Sequence, residues 1–282
     1  MLERTSMRTI PIDVGDDAIE LAIDGDIRCG GPEILLDGDD DLSAHAPWAA
    51  GGYTVAPFLA RDDYEALRVG VRDVIRRVAR ERIGRDVPAF DLAAYHEVFS
   101  EAEHDAIVVV TRACFAKSWL PIDPAIIERR ISEIVGLPLT LDSGHPANVR
   151  DFCFRIVRPR RLQDNNPPHR DVYLENIRNC LNLYAPLCGS GPRSALALVP
   201  GSHRLSEAEI ERTHGPALVN GVRFTVPCIT ALRGDRVRMV RPDPAENEVL
   251  LFSPYLVHGA GYNLGDTATR ISLELRFWRK RD

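Results

Sequence analysis

The chain has 282 residues with 35 basic and 41 acidic side chains, so its formal net charge is −6. A composition of 45% hydrophobic and 27% charged residues is that of an ordinary globular protein and argues against global disorder and collagen-like repeats. The acidic balance counts against a general nucleic-acid binder, which normally presents a basic face. No run approaches the roughly 18 apolar residues of a membrane span, no secretory signal is visible, and the six cysteines form no C-x-x-C pair. We therefore expect a cytoplasmic protein of one large domain or two small ones.

The first 50 residues are predicted to form an extension with two short strands. Residues 10–14 and 19–23 alternate apolar and polar side chains, as strands do. An acidic cluster at residues 37–41 then interrupts the pattern. It lacks the closing glutamate of an EF-hand calcium loop, so a solvated turn is the simpler interpretation and a calcium site the alternative.

A helical layer is predicted between residues 60 and 140. A β-like segment at residues 53–59 precedes it, and Asp62 stands where a side chain can cap the first helix. The β-branched stretch 107–110 weakens the helical signal of the second segment. Apolar residues recur every three or four positions in three segments, which are predicted to be helices: residues 64–83, 92–119 and 124–135.

After residue 148 the sequence is predicted to be β-rich. Short apolar runs separated by glycine, proline and asparagine turns favour a sandwich, barrel or jelly roll over a parallel sheet. The connection from His203 to Arg223 is predicted to be a lid. The predicted strands are residues 152–157, 179–186, 195–200, 223–231, 236–240, 249–253 and 270–278.

A metal site is predicted from two histidines and an aspartate. In an extended segment residues i and i+2 point to the same side, so His169 and Asp171 can share one metal ion. His258, at the end of the apolar strand around residues 249–253, supplies a third ligand. Two histidines and one carboxylate form the facial triad of non-haem Fe(II) oxygenases. A zinc hydrolase uses the same ligand types, so the triad alone does not decide the reaction.

Twelve residues past His258, the strand that opens with Arg270 carries Ser272 on the same face. A guanidinium fork beside a hydroxyl suits a terminal carboxylate such as that of 2-oxoglutarate. Without the triad an exposed strand arginine would be the better interpretation, and with the triad we favour cosubstrate binding.

The order of these motifs resembles that of the phytanoyl-CoA dioxygenase (PhyH-like) family of Fe(II)/2-oxoglutarate-dependent oxygenases. The resemblance covers residues 51–282, predicted to be a single domain, and leaves the first 50 residues unassigned. The matching pieces are the strand at residues 52–59, His169-x-Asp171, the P-G-S-H segment at residues 200–203, His258 and Arg270.

The resemblance implies a mainly β fold, with a double-stranded β-helix (a cupin-like jelly roll) at about residues 150–282 and N-terminal helices at about 60–140 that support it. It also implies an enzyme that hydroxylates an unidentified small molecule with dioxygen while 2-oxoglutarate is decarboxylated to succinate. The implied site residues are His169, Asp171 and His258 for Fe(II), and Arg270, Ser272, Tyr184 and Asn182 for 2-oxoglutarate.

Other functions remain open on the same residues. A cupin-like metal-dependent hydrolase or isomerase could use the same triad, and a ligand-binding jelly roll would need no catalysis. Because Asp171 is present, hydroxylation is favoured over halogenation, with desaturation and ring formation as alternatives. His203 is predicted to be structural and not a substrate contact. Arginines precede the metal motif and either surround the pocket mouth, where one could bind an anionic substrate, or are solvated at a strand edge; these are Arg155, Arg158, Arg160 and Arg161.

Overall fold

The computed structural model describes residues 7–113, 119, 121–144, 152–174, 177–214 and 217–280, which are mostly β with a few helices. Within these ranges, none of the helices combines the length and the apolar character that crossing a bilayer requires. The helices are α1 Arg61–Ile83, α2 Tyr95–Val98, α3 Glu101–Ala113 and α4 Pro124–Val135. The strands are β1 Arg8–Val14, β2 Asp17–Asp24, β3 Ile27–Cys29, β4 Tyr53–Pro57, β5 Leu139–Thr140, β6 Phe152–Val157, β7 Cys180–Cys188, β8 Ala197–Leu198, β9 Ile210–Thr213, β10 Ala217–Val219, β11 Val222–Phe224, β12 Ile229–Leu232, β13 Asp235–Arg236, β14 Arg238–Met239, β15 Glu248–Phe252, β16 His258–Gly259 and β17 Arg270–Arg279.

The predicted helical layer is present, with two corrections. Ala60 and not Asp62 occupies the N-cap of α1, and Asp62 lies in the first turn, where a negative charge suits the positive end of the helix. The predicted helix over residues 92–119 is broken, because Phe99 is extended and a new helix begins after it. Ser100 and Glu103 form a capping box, in which each side chain accepts a hydrogen bond from the other's backbone N–H. Residues 114–118 and 120 lie outside the described residues, and α4 confirms the third predicted helix.

The sheet that carries the site has the strand order β4-β15-β7-β17-β5, with β6 paired to β17. Its two faces differ because successive side chains in a strand point to opposite sides. One face packs leucines such as Leu183 and Leu273 against the apolar stripe of α1 in a shared core. The other face of β17 carries polar side chains at alternate positions: Arg270, Ser272, Glu274 and Arg276.

The first strands pair with strands far along the chain. β1 and β2 form a hairpin that joins β14 on one side and β10 on the other, while β3 pairs with β9. Their inward residues, among them Ile12 and Leu21, share a second core with Val257. Strands before residue 50 are therefore packed with strands from the second half of the chain.

In the acidic cluster at residues 37–41, Asp39 accepts hydrogen bonds from Tyr255 and Arg178.

The predicted lid between His203 and Arg223 is wrong for the residues described. The segment supplies β9 and β10, which are paired within two different sheets. Ile210 and Val219 are buried in the second core, because each stands on the inward side of its strand. Residues 215–216 lie outside the described part of the chain.

Candidate metal centre

The fold brings the three predicted metal ligands together. His169 and His258 face each other across an antiparallel bridge, in which each backbone N–H donates to the other's carbonyl at 2.9 Å. Asp171 donates its backbone N–H to the carbonyl of Pro254 at 3.1 Å. All three side chains are buried, and their ligand atoms lie within 4.8 Å of one another. This geometry matches a single metal ion with three protein ligands.

Hydrogen bonds set the orientation of both imidazole rings. Nδ1 of His169 lies 2.8 Å from the carbonyl of Pro167, and Nδ1 of His258 lies 2.9 Å from that of Leu256. Because a carbonyl only accepts, each Nδ1 carries a proton, which leaves Nε2 as the nitrogen that offers a lone pair to a metal. These Nε2 atoms lie 3.3 and 3.6 Å from Oδ1 of Asp171. Burial, followed by the neighbouring His258, lowers the pKa of His169 and favours the neutral ring that binds metals.

The second oxygen of Asp171 is held by two side chains. Oδ2 accepts from Nη2 of Arg276 at 2.8 Å and from Nδ2 of Asn182 at 3.0 Å. Burial would raise the pKa of Asp171, but Arg276 together with His258 and His169 outweighs it and keeps the pKa well below its usual value. The carboxylate is thus ionised, with Oδ1 directed at the two imidazoles. Such contacts to a ligand fix its orientation.

Asn182 and Arg276 both contact Asp171, and of the two only Asn182 was among the predicted site residues. Asn182, predicted to contact the cosubstrate, donates its amide to Asp171, and its Oδ1 is buried with no hydrogen-bond partner among the described residues. Arg276 was not predicted. It lies on the same face of β17 as Arg270, six residues on, and that two-residue alternation was the available signal.

Arg270 and Ser272 are buried without partners. Both have a relative exposure of 0%, and none of the three guanidinium nitrogens of Arg270, nor the hydroxyl of Ser272, has a hydrogen-bond partner within the described ranges. The nearest aromatic face is that of Tyr184, whose ring centre lies 5.5 Å from Cζ of Arg270. A buried, unpaired guanidinium is costly, so its retention indicates an anion as partner. Gly261 leaves room for it, since a Cβ there would lie 2.9 Å from Nη1.

A pocket opens onto the three ligands. Tyr184 and Phe252 line it on one side, while Arg155 and Glu274 line it together as an ion pair. Of the four arginines that precede the metal motif, Arg155 is the one that lines this pocket. The other three form ion pairs elsewhere: Arg158–Asp164, Arg160–Asp266 and Arg161–Glu101.

The P-G-S-H segment supports the strand that carries His258. Oγ of Ser202 accepts the backbone N–H of Val257 at 2.8 Å, one residue before the metal ligand. Nε2 of His203 lies 3.0 Å from the carbonyl of Ala49. His203 therefore contacts the backbone of the N-terminal segment, and it is absent from the lining of the pocket.

Comparisons with known proteins found only distant structural similarities. No family model matches the sequence, and no curated protein matches it. Among solved structures, AviO1 from Streptomyces viridochromogenes Tue57 is 18% identical and matches 88% of this chain and 96% of its own, with a TM-score of 0.45. EctD from S. alaskensis, solved with 2-oxoglutarate and 5-hydroxyectoine, is 14% identical over 90% and 84% of the two chains, with a TM-score of 0.44. The non-heme alpha ketoglutarate dependent epimerase SnoN is 17% identical over 83% and 80%, with a TM-score of 0.39. These similarities are too distant to carry an argument about activity.

Proposed function

We propose that this chain is an Fe(II)/2-oxoglutarate-dependent dioxygenase that hydroxylates a small molecule. We further propose that it belongs to the PhyH-like branch and that its sheets form a double-stranded β-helix. The observation that supports the activity is the combination of two features in one region of the sheet. One is a cluster of two imidazoles and one carboxylate, and the other is the buried pair Arg270 and Ser272, whose donors have no hydrogen-bond partner among the described residues.

The donor set fits the two groups that this chemistry requires. His169, Asp171 and His258 would hold Fe(II) and leave further coordination positions for other ligands. Arg270 and Ser272 would bind the far carboxylate of 2-oxoglutarate, because a guanidinium and a hydroxyl supply charge-assisted hydrogen bonds to it. With both groups and dioxygen bound, the site would supply the oxidising chemistry, in which 2-oxoglutarate is decarboxylated to succinate.

The remaining residues prepare the site. The carbonyls of Pro167 and Leu256 fix the tautomers of the two histidines, and Arg276 keeps Asp171 ionised. The three ligands are buried, which strengthens the electrostatic contacts between them.

The test is binding of 2-oxoglutarate to the Arg270→Met variant. Anaerobic addition of Fe(II) and 2-oxoglutarate to the native protein should give a visible charge-transfer band. Charge-assisted hydrogen bonds are worth about 1.5–3 kcal/mol each, so the variant should bind 2-oxoglutarate at least about 100-fold more weakly. Because Arg270 is buried without a protein partner, the metal-free variant should be as stable as the native chain or more stable. Arg236, an exposed arginine paired with Asp13, provides the matched control Arg236→Met.

Normal binding of 2-oxoglutarate by Arg270→Met would reject the assigned role. The competing functions predict different results for the same purified protein. A metal-dependent hydrolase or isomerase would turn over without dioxygen and 2-oxoglutarate, and a binding protein would take up metal without releasing succinate with any substrate. Screening small molecules both for 2-oxoglutarate-coupled succinate release and for turnover without dioxygen distinguishes all three functions.

A further inference from the structure

A second arginine faces the pocket with most of its donors unused. Arg155 lies on β6, opposite Ser272 of β17, and its side chain is 16% exposed. Its Nε atom holds both carboxylate oxygens of Glu274, at 2.8 and 3.0 Å. Neither Nη group has a hydrogen-bond partner among the described residues. We propose that the Nη groups of Arg155 bind an oxyanion of the substrate, a carboxylate or a phosphate ester; this inference rests on the proposed function.

The pairing of Arg155 differs from that of a structural arginine. Arg158, three residues further on and just past the end of β6, uses Nε, Nη1 and Nη2 to bind the carboxylates of Asp164 and Glu101. Arg155 instead uses the side of its guanidinium that carries Nε, and the fork of the two Nη groups remains available. That fork is the part of the guanidinium that binds carboxylates and phosphates in a bidentate manner.

The charges around the pocket leave room for one more anion. Asp171 is balanced by Arg276 and Glu274 by Arg155, while Arg270 has no carboxylate partner. An Fe(II) ion and a 2-oxoglutarate dianion would cancel each other, so the loaded site would keep one positive charge. A buried excess charge favours a ligand of opposite sign.

The positions of Arg155 and Arg270 suggest different ligands. Arg270 is fully buried, which suits a cosubstrate that is the same in every turnover. Arg155 lines the pocket and is partly exposed, which suits a ligand that enters from solvent and differs from one enzyme to the next. It would act as a specificity-determining residue and leave cosubstrate binding to Arg270.

The test uses protein loaded with Zn(II) and 2-oxoglutarate, which cannot turn over. The probes are matched sets of a carboxylic acid, a phosphate monoester and a primary amide on the same alkyl and aryl chains, with binding followed by ligand-observed NMR. The native protein should bind at least one of the two anion classes about tenfold more tightly than the amides, as expected for one charge-assisted interaction. Arg155→Gln with Glu274→Gln should lose this preference, because the double change keeps a hydrogen-bonded neutral pair. Glu274→Gln alone should widen it, and Arg161→Gln, an exposed arginine of the same segment, should keep it.

Any of three results with the probes would overturn the inference. These are equal binding of anions and amides by the native protein, an anion preference that survives the double change, and no binding of any probe. Weaker binding of 2-oxoglutarate by the folded double variant would also overturn it, since that would assign Arg155 to the cosubstrate. Failure of the proposed function is seen separately, because the signals of 2-oxoglutarate itself report whether the native protein binds it.

Discussion

Gly259, the residue after the metal ligand His258, provides the sharpest test of how the centre is built. Its φ is +117°, a conformation that side chains with a Cβ rarely adopt. A Cβ at this position would lie 2.5 Å from the carbonyl oxygen of Pro167 and 2.9 Å from Nδ1 of His169. Those two atoms form the hydrogen bond that fixes the tautomer of His169. We therefore predict that Gly259→Ala damages the metal site as well as the fold.

The loss of stability in Gly259→Ala has two contributions, backbone strain and the close contact of the new Cβ, and a control variant can separate them. Gly234 also has a positive φ, +77°, but a Cβ there would meet nothing within 4 Å. Both substitutions should incur a backbone cost of about 1–2 kcal/mol in the free energy of unfolding. Gly259→Ala should lose about 1–3 kcal/mol more, because a packed carbonyl and ring must move. Displacing the acceptor of His169 should also weaken metal binding about 10- to 100-fold.

The assay is denaturant unfolding of the metal-free variants together with a chelator-competition titration of Zn(II) or Co(II). Gly259→Ala is expected to lose both stability and metal affinity, and Gly234→Ala only stability. Native metal affinity in a folded Gly259→Ala protein would refute the argument that the Pro167 contact orients the ligand. Equal loss of affinity in both variants would show that the close contact at residue 259 is irrelevant.

Three further predictions concern buried groups around the site. Burial alone would raise the pKa of Asp164, but Arg158 and His104 together hold it far below its usual value. Its contribution to stability is therefore present above about pH 4 and lost as the pH falls. Asp164→Asn should lower the free energy of unfolding by about 3–5 kcal/mol at pH 7 and by less at pH 3 in urea titrations, and a pH-independent difference would contradict this. Ser202→Ala leaves a buried backbone N–H unpaired and should cost about 1–3 kcal/mol in the same assay, whereas a loss below about 0.5 kcal/mol would argue against the bond. Burial raises the pKa of Cys228 to about 12, so in site-resolved mass spectrometry iodoacetamide should modify the exposed Cys29 long before Cys228.

The metal ligands could be predicted because their signal is local. His169 and Asp171 stand two residues apart in an extended segment, so the sequence alone places them on one side. Arg170, between them, points the other way and is buried against Glu207, with Nη1 of the arginine 2.7 Å from the carboxylate. His258 is distant in sequence from the other two ligands, but its position directly after an apolar strand singled it out among the histidines. Residue type and alternation were sufficient for these three positions.

The contacts that orient the metal ligands could not be predicted from the sequence. Arg276 and Asn182 both reach Asp171 because β7 and β17 are paired in a register that places these two residues opposite each other. A shift of the register by one residue would turn every side chain of the strand to the other face. No pattern within either strand specifies that register, so the sequence offered several arginines and no means to choose among them. Similarly, the alternation of apolar and polar residues predicted strands β1 and β2. It could not predict the strands with which their hairpin pairs, because these lie about 200 residues further along the chain.

The pairing of β7 with β17 also explains how one strand builds both the core and the site. The inward residues of β17, such as Leu273, pack under the helices, and the alternate residues carry the charges. The register of the two strands shifts between Ile271 and Ser272, where β7 contains one extra residue. Such bulges bend a strand and redirect its side chains, and they occur often beside active sites. Here the shift separates Arg270, at the enclosed end, from Glu274 and Arg276 at the metal. Deleting the extra residue at Leu187 should therefore disturb the surroundings of Arg270 first and leave the contacts of Asp171 largely in place.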